Sequence, residues 1–411
     1  MDADGRFTRG RGRRSPGAVL LCSLVAALAA FAAPPAGAAL TEYPVPTSGS
    51  QPSGITVGPD GALWFTEENK HKIGRITTSG SITEYPVPTV PSGPSEITAG
   101  PDGALWFTEF SATPPKIGRI TTAGNVTEYV LPAGSAPDGI TAGPDGALWF
   151  TENGSKRIGR ITVNGDITHY DLPLGFRPGD ISTGPDGRLW FTESEADMVG
   201  VIPVTGAPIT EYQLPMTADP SGIVAFGDSL WFTQAGGRRI SRMPVSGPPY
   251  TEFGPTGLEP SGIAPGPDGA LWFTQTSSHS IGRMTTSGEF TEYPIPTPFA
   301  QPDTIVAGPD GALWFTEFFG NKIGRIDPPA LPAPQPPAAP AVPRKTASKK
   351  RACRVPKVRG LSTRQAKKKL RRARCRFRIR GKGKVVSTRP KAGKRTTAIV
   401  RVKTRAKRPV R

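Results

Sequence analysis

The seven tryptophans of this 411-residue chain stand at positions 64, 106, 149, 190, 231, 272 and 314, at intervals of 42, 43, 41, 41, 41 and 42. Each lies in a Leu-Trp-Phe-Thr run followed by Glu or Gln. A fixed period of this length marks a structure assembled from copies of one supersecondary unit. In the first copy, Gly54–Val57, Ala62–Glu67, Lys72–Thr77 and Ser81–Tyr85 are short β-rich runs separated by turn residues, and Pro86-Val87-Pro88 ends the last. Four short strands per copy predict an antiparallel blade, and seven copies predict an all-β, seven-bladed β-propeller. Such blades must bury something bulky between them, so the tryptophans are expected in the inter-blade core.

Six copies carry Gly-Pro-Asp-Gly between the first two strands, and the fifth has Phe226-Gly227-Asp228-Ser229. Asp-Gly supplies the positive-φ positions of a tight hairpin, so turn chemistry is expected here rather than calcium ligation. Thr41-Glu42-Tyr43 precedes the first copy, and the same outer-strand motif follows copies one to six. Copy seven instead runs from Ile326-Asp327 straight into proline. The N-terminal strand is therefore predicted to complete the last blade and close the ring. His169 replaces the Glu of that motif and is expected at the surface.

Charge divides the chain. Residues 39–343 carry 16 basic and 31 acidic side chains, whereas 344–411 carry 30 basic and none acidic. The formal +18 thus joins an acidic propeller to a cationic tail. Residues 1–38 read as a signal peptide: five arginines, the apolar run Ala18–Ala33, then Ala36-Gly37-Ala38. That run is shorter than a spanning helix needs, and no transmembrane segment is expected after cleavage. Cys353 and Cys375 then remain, and export permits a disulfide between them. Eight prolines in 327–343 predict an extended spacer within a linker over 328–350.

The residues after Trp-Phe-Thr are Glu67, Glu109, Glu152, Glu193, Gln234, Gln275 and Glu317. By symmetry they form a ring, with Asp138, Asp303, Glu96 and Asp180 adding to the same face. A carboxylate-lined funnel suits a divalent cation or a cationic ligand, small molecule or protein. The competing expectation is local pairing of each Glu with a cation such as Lys72 or Arg75.

Trp106-Phe107-Thr108-Glu109, Lys72–Thr77 and Ile82-Thr83-Glu84-Tyr85-Pro86 resemble the repeats of the streptogramin B lyase (virginiamycin B lyase) family, across about 39–327. The resemblance implies elimination at the ester linkage of a cyclic depsipeptide antibiotic, with Mg²⁺ held by glutamates and a histidine as base. The family's last blade opens Glu-Pro-His, where this chain has Gln301-Pro302-Asp303. By resemblance Asp303 and Glu317 take the catalytic positions, and Gln301 and Glu317 the Mg²⁺ positions. None of the equivalent residues Ser53, Ser95, Asp138, Gly179, Ser221, Ser261 and Asp303 is histidine. An imidazole near pH 7 suits the base, and a carboxylate does so only if desolvation raises its pKa. His71 and His279 fall in loops on the same face. The expectation is a binding or divergent member of the family, the alternative an active Mg²⁺-dependent carbon–oxygen lyase.

In the tail, Ser362 can cap a helix over Thr363–Arg374, and strands are expected at 376–379, 384–387 and 398–402. Val355-Pro356, Gly360-Leu361, Ala366, Leu370, Pro390 and Ala392-Gly393 resemble a PASTA domain. That implies a small α+β domain over 351–405, ahead of a basic end at 406–411, with Cys353–Cys375 stapling the helix to the first strand. So basic an exported unit is expected to meet an anionic cell-wall polymer or peptidoglycan rather than nucleic acid. The whole reads as a secreted, wall-associated monomer.

Overall fold

A computed structural model describes residues 38–256, 259–329, 353–380, 383–396 and 400–405. The expected signal segment up to residue 37, the proline-rich linker beyond 329 and the basic end from 406 lie outside the described residues. The chain divides into two compact units, Met1–Leu331 and Pro332–Arg411.

The first unit holds seven four-stranded antiparallel sheets. Blade one comprises Pro52–Val57, Leu63–Glu67, Lys72–Ile76 and Ile82–Pro86, ordered from the axis outward. In blade seven, Pro302–Ala307, Leu313–Glu317 and Lys322–Ile326 are completed by Leu40–Pro44, which pairs antiparallel with Lys322–Ile326. The ring is closed by the N-terminal strand, and the inner strand of blade one packs against that of blade seven.

Every tryptophan is fully buried between blades. Trp64 and Ile73 of blade one meet Ile97, Leu105, Phe107 and Ile120 of blade two in one apolar cluster, and the arrangement recurs around the ring. Trp64 also stacks on Tyr85 at 5.5 Å between centroids. The turn aspartate fastens this group: Asp60 accepts from the Trp64 indole at 3.0 Å and from Arg75 at 2.6 Å, and the Arg75 guanidinium lies over the indole. Strand three carries glycine at this register in six blades, and Ser241 in blade five. A Cβ at Gly74 would lie 2.1 Å from the Phe65 ring, which crosses that position.

The second unit has one helix, Thr363–Arg372, opened by a capping box between Ser362 and Gln365. It ends two residues earlier than the sequence pattern predicts. Phe377–Arg380, Val400–Arg405 and Lys384–Arg389 form a three-stranded sheet in that order. Ala366 and Leu370 of the helix pack with Val385, Val400 and Val402 of the sheet, and Cys353 is disulfide-bonded to Cys375.

Candidate functional site

The threonine of Leu-Trp-Phe-Thr sets the geometry at the axis. In six blades the inner strand bulges after its first residue, between Pro52 and Ile55 in blade one, which frees the Gly54 N–H from the ladder. Thr66 Oγ1 accepts that N–H at 2.9 Å and donates to the Ser95 carbonyl of blade two at 2.6 Å. Thr108, Thr151, Thr192, Thr233 and Thr274 make the corresponding donation to the next blade. Thr316 spans the seam, donating to the Ser53 carbonyl at 2.6 Å. Seven hydroxyls thus hold the inner-strand entrances in a ring.

Inside that ring lies a cavity of about 310 Å³. All seven of the equivalent positions Ser53, Ser95, Asp138, Gly179, Ser221, Ser261 and Asp303 line it, joined by Glu96 and Asp180. Ser53 donates to Asp303 at 2.8 Å, and Ser95 to Asp138 at 3.3 Å. Thr304 donates to Glu96 across the axis at 3.0 Å. Asp180 accepts the Ile181 and Ile223 N–H groups, each at 2.8 Å. Burial pushes all four carboxyls up, Glu96 well above the usual range and Asp180 to about 7. Mutual repulsion adds to this, since Asp303 raises Glu96, Asp138 and Asp180 alike. Among the described residues the one cation lining the cavity is Arg177, paired with Glu195 at 3.1 Å. Glu195 and the neighbouring Glu68, which Asp303 and Asp138 also influence, were not singled out from the sequence; both follow the strand-two motif by one or two residues.

The other expected carboxylate ring is placed elsewhere. Glu67, Glu109, Glu152, Glu193, Gln234, Gln275 and Glu317 are buried inside the blades and do not line the cavity. Strand alternation explains the difference. Glu67 shares its face with Leu63 and Phe65, which pack against blade seven, while Thr66 and Trp64 face blade two. Each of these side chains meets an outer strand of its own blade instead, except Gln234, which meets strand three. Glu67 faces Glu84, Glu109 faces Glu128, Glu193 faces Glu211 and Glu317 faces Glu42. Burial, with the neighbouring carboxylate adding to it, pushes Glu67 up to about 7 and Glu109, Glu193 and Glu317 to about 8. One proton per pair is the donor that their otherwise unpartnered oxygens lack. In blades three and six the partners differ: Glu152 pairs with His169 at 2.8 Å, and the Gln275 amide donates to Glu292 at 3.0 Å. In blade five the Gln234 amide donates to Ser241. His169 is therefore a pairing residue, not a free surface replacement. Lys72 and Arg75 are engaged elsewhere, with Glu84 and Asp60.

The two loop histidines serve as latches between blades. His71 Nδ1 accepts from the Gly93 N–H, and His279 Nδ1 from the Gln301 N–H, each at 3.3 Å. Neither lines the cavity. Among the described residues no three His, Cys, Asp or Glu side chains come together as a metal site. Asp303 lines the cavity, whereas Glu317 is buried in blade seven beside Glu42 and Lys322, next in register to Gln301, whose carbonyl accepts the Phe318 N–H at 3.1 Å; one carboxylate and one neutral amide make a donor set that fits Mg²⁺ poorly.

Fold and site together define a closed seven-bladed propeller with an acidic axial cavity, followed by a small α+β unit. The virginiamycin B lyase family profile matches residues 35–228 and 226–343, and the PASTA profile residues 354–403. The chain belongs to the virginiamycin B lyase family and carries a PASTA domain, a module typical of cell-wall-associated proteins. The structure of virginiamycin B lyase from Staphylococcus aureus is 41% identical, covering 71% of this chain and 99% of that one, with a TM-score of 0.66. A catalytically inactive histidine-to-alanine variant of the Staphylococcus aureus enzyme with quinupristin is 40% identical over 71% of this chain and 99% of that one, also at 0.66. A stretch of 41 residues is 51% identical to virginiamycin B lyase of Bacillus licheniformis, spanning 10% of this chain and 14% of that protein. No helix among the described residues is long and apolar enough to cross a membrane.

Proposed function

We propose that this protein is exported and held at the cell wall by its basic PASTA domain, and that its propeller binds a cationic ligand at the axis rather than breaking down an antibiotic. The observation that carries the reading is the cavity lining: Glu96, Asp138, Asp180 and Asp303 converge there without an imidazole and with no uncommitted cation. An ammonium or guanidinium entering the ring would replace protons on carboxyls already held above their usual range. Affinity should therefore rise as pH rises through the raised values, because the ionised ring is the binding form. Titration with 1,5-diaminopentane at pH 6 and pH 8.5 tests this, with the Asp180→Asn/Asp303→Asn variant as control. Tighter binding at pH 8.5, weakened about tenfold or more in the variant, is the expected result for charge-assisted contacts. Binding indifferent to pH and to the variant would remove the axial site from the account.

The wall tether rests on the PASTA match and on the 30 cations from residue 344 onward. Retention on purified sacculi by the full-length protein, lost when the chain is cut before the tail, is expected. Free passage of the intact protein would contradict it.

A second reading has one observation in its favour. Burial raises the Asp303 carboxyl, which moves it toward a serviceable base, at the position where the family's motif has histidine. In that reading the protein is an active carbon–oxygen lyase on type B streptogramins, with Asp303 as the base. It requires a linear product that disappears in Asp303→Asn.

A further inference from the structure

The sheet of the PASTA unit presents a cross-strand ladder of cations. Helix Thr363–Arg372 covers one face, where Val385, Val400 and Val402 are buried. Alternation sends the intervening side chains to the other face. Arg378 and Arg389 stand opposite Arg401 from its two sides, Arg380 stands opposite Lys403, and Lys384 opposite Arg405. All seven are exposed. No acidic residue occurs anywhere from 344 to 411, and none of the described cations here is ion-paired.

Like charges directly opposite one another destabilise a sheet. Neighbours across strands lie about 5 Å apart and successive rows about 7 Å, within the Debye length of about 8 Å at physiological salt, so solvent ions do not hide the repulsion. A single fold core needs none of these cations at these registers, since the buried face is made of valines, alanine, leucine and the disulfide.

We infer that this ladder is the docking surface for a linear phosphodiester polymer of the cell wall, laid across the three strands with its phosphates on Arg378, Arg401 and Arg389 and the adjoining row. The inference rests on the wall-tether reading and specifies both the face and the partner chemistry. Arginine dominates the first row, and its planar fork suits phosphate oxygens. A membrane surface fits less well, because among the described residues of this unit Val386 is the one large apolar side chain exposed, and it offers no anchor. Nucleic acid fits less well too: Phe377, the tail's single aromatic, is half-buried in the core and leaves no exposed platform for a base.

The test uses the full chain with long-chain inorganic polyphosphate as probe, and sacculi before and after removal of their phosphate polymers. Two variants each remove three charges: Arg378→Gln/Arg389→Gln/Arg401→Gln on the sheet, and Lys367→Gln/Lys368→Gln/Arg371→Gln on the exposed side of the helix. The sheet variant should bind polyphosphate about 30-fold more weakly at 0.15 M salt and lose two to three units from the slope of log K against log salt, roughly one per phosphate contact. The helix variant should change affinity less than about threefold. If the sheet variant does not fold, Arg401→Gln alone, at the ladder's centre, should still cost more than Arg371→Gln alone.

Equal losses from the two variants would reduce the ladder to undirected net charge and overturn the proposal. So would undiminished retention on stripped sacculi, or tighter binding to duplex DNA or to vesicles of anionic lipid than to polyphosphate. Failure of the intact protein to bind any sacculi, with the polyphosphate contrast preserved, would count against the wall location alone.

Discussion

Replacing Glu109 by Gln copies into blade two what blades five and six already carry as Gln234 and Gln275. Glu109 is buried, and burial together with Glu128 lifts it from 4.5 to about 8, with Lys116 opposing the shift. The folded pKa is raised, so the contribution of this group is complete below pH 4.5 and is lost as pH rises through about 8. Between those limits the folded state holds a proton that the unfolded chain has released, and stability falls by about 1.4 kcal/mol per pH unit. From pH 6 to pH 8 that amounts to roughly 2–3 kcal/mol for this one group, an upper figure for a partly relaxed site. Glu128 does not confuse the window. Burial raises it, but hydrogen bonds from Lys116 and Thr89 outweigh that and hold it below 4.5, so its titration falls at lower pH. The amide of Glu109→Gln supplies a permanent donor to Glu128 and needs no proton.

Thermal melts of wild type and variant at pH 5, 6, 7 and 8 give the comparison. The two should nearly coincide at pH 5, and the variant should melt about 4–8 °C higher at pH 8, taking 2–3 °C per kcal/mol for a unit of this size. Glu67, Glu193 and Glu317 leave a residual slope in both proteins, so the difference between the curves is the quantity read. Parallel curves, or a variant that loses stability at pH 8, would refute a shared proton in the pair.

Thr316→Val removes the hydroxyl that bridges the closure seam to the Ser53 carbonyl and leaves two buried backbone groups without it, which should cost about 2–4 kcal/mol and lower the melting temperature of the propeller. Gly118→Ala places a Cβ 2.1 Å from the Phe107 ring and should destabilise by at least about 2 kcal/mol, measured by urea titration, whereas Gly103→Ala loses only its favourable backbone conformation. Reduction of Cys353–Cys375, or Cys353→Ser/Cys375→Ser, should lower PASTA-unit stability by about 3 kcal/mol and leave the propeller transition unmoved, because the chain divides into separate compact units.

Much of this was legible before any coordinates. The period of the tryptophans fixes blade number, and the outer-strand motif displaced to residues 41–43 fixes how the ring closes, because both follow from chain order alone. The axial residues were legible for the same reason: the entrances of seven inner strands must converge. The Glu67 ring was misplaced because its height in the blade was considered without its face. Counting alternation from Phe65 puts Glu67 on the blade-seven side, away from Thr66, and the sequence held that information. What it did not hold was the partner: Glu84 lies two strands away, and only the lateral register, Phe65 to Gly74 to Glu84, brings the two carboxyls together. The role of the motif threonine was likewise hidden, since it depends on a bulge that frees an inner-strand N–H.

The central claim is that the axial ring binds and does not cleave. Its most direct test is incubation of the full-length protein with a type B streptogramin and Mg²⁺ across pH 6 to 8.5, followed by mass spectrometry, with wild type, Asp303→Asn and Glu317→Gln run side by side. The cyclic antibiotic should be recovered intact in all three. Linear product from the wild type that vanishes in Asp303→Asn would contradict it.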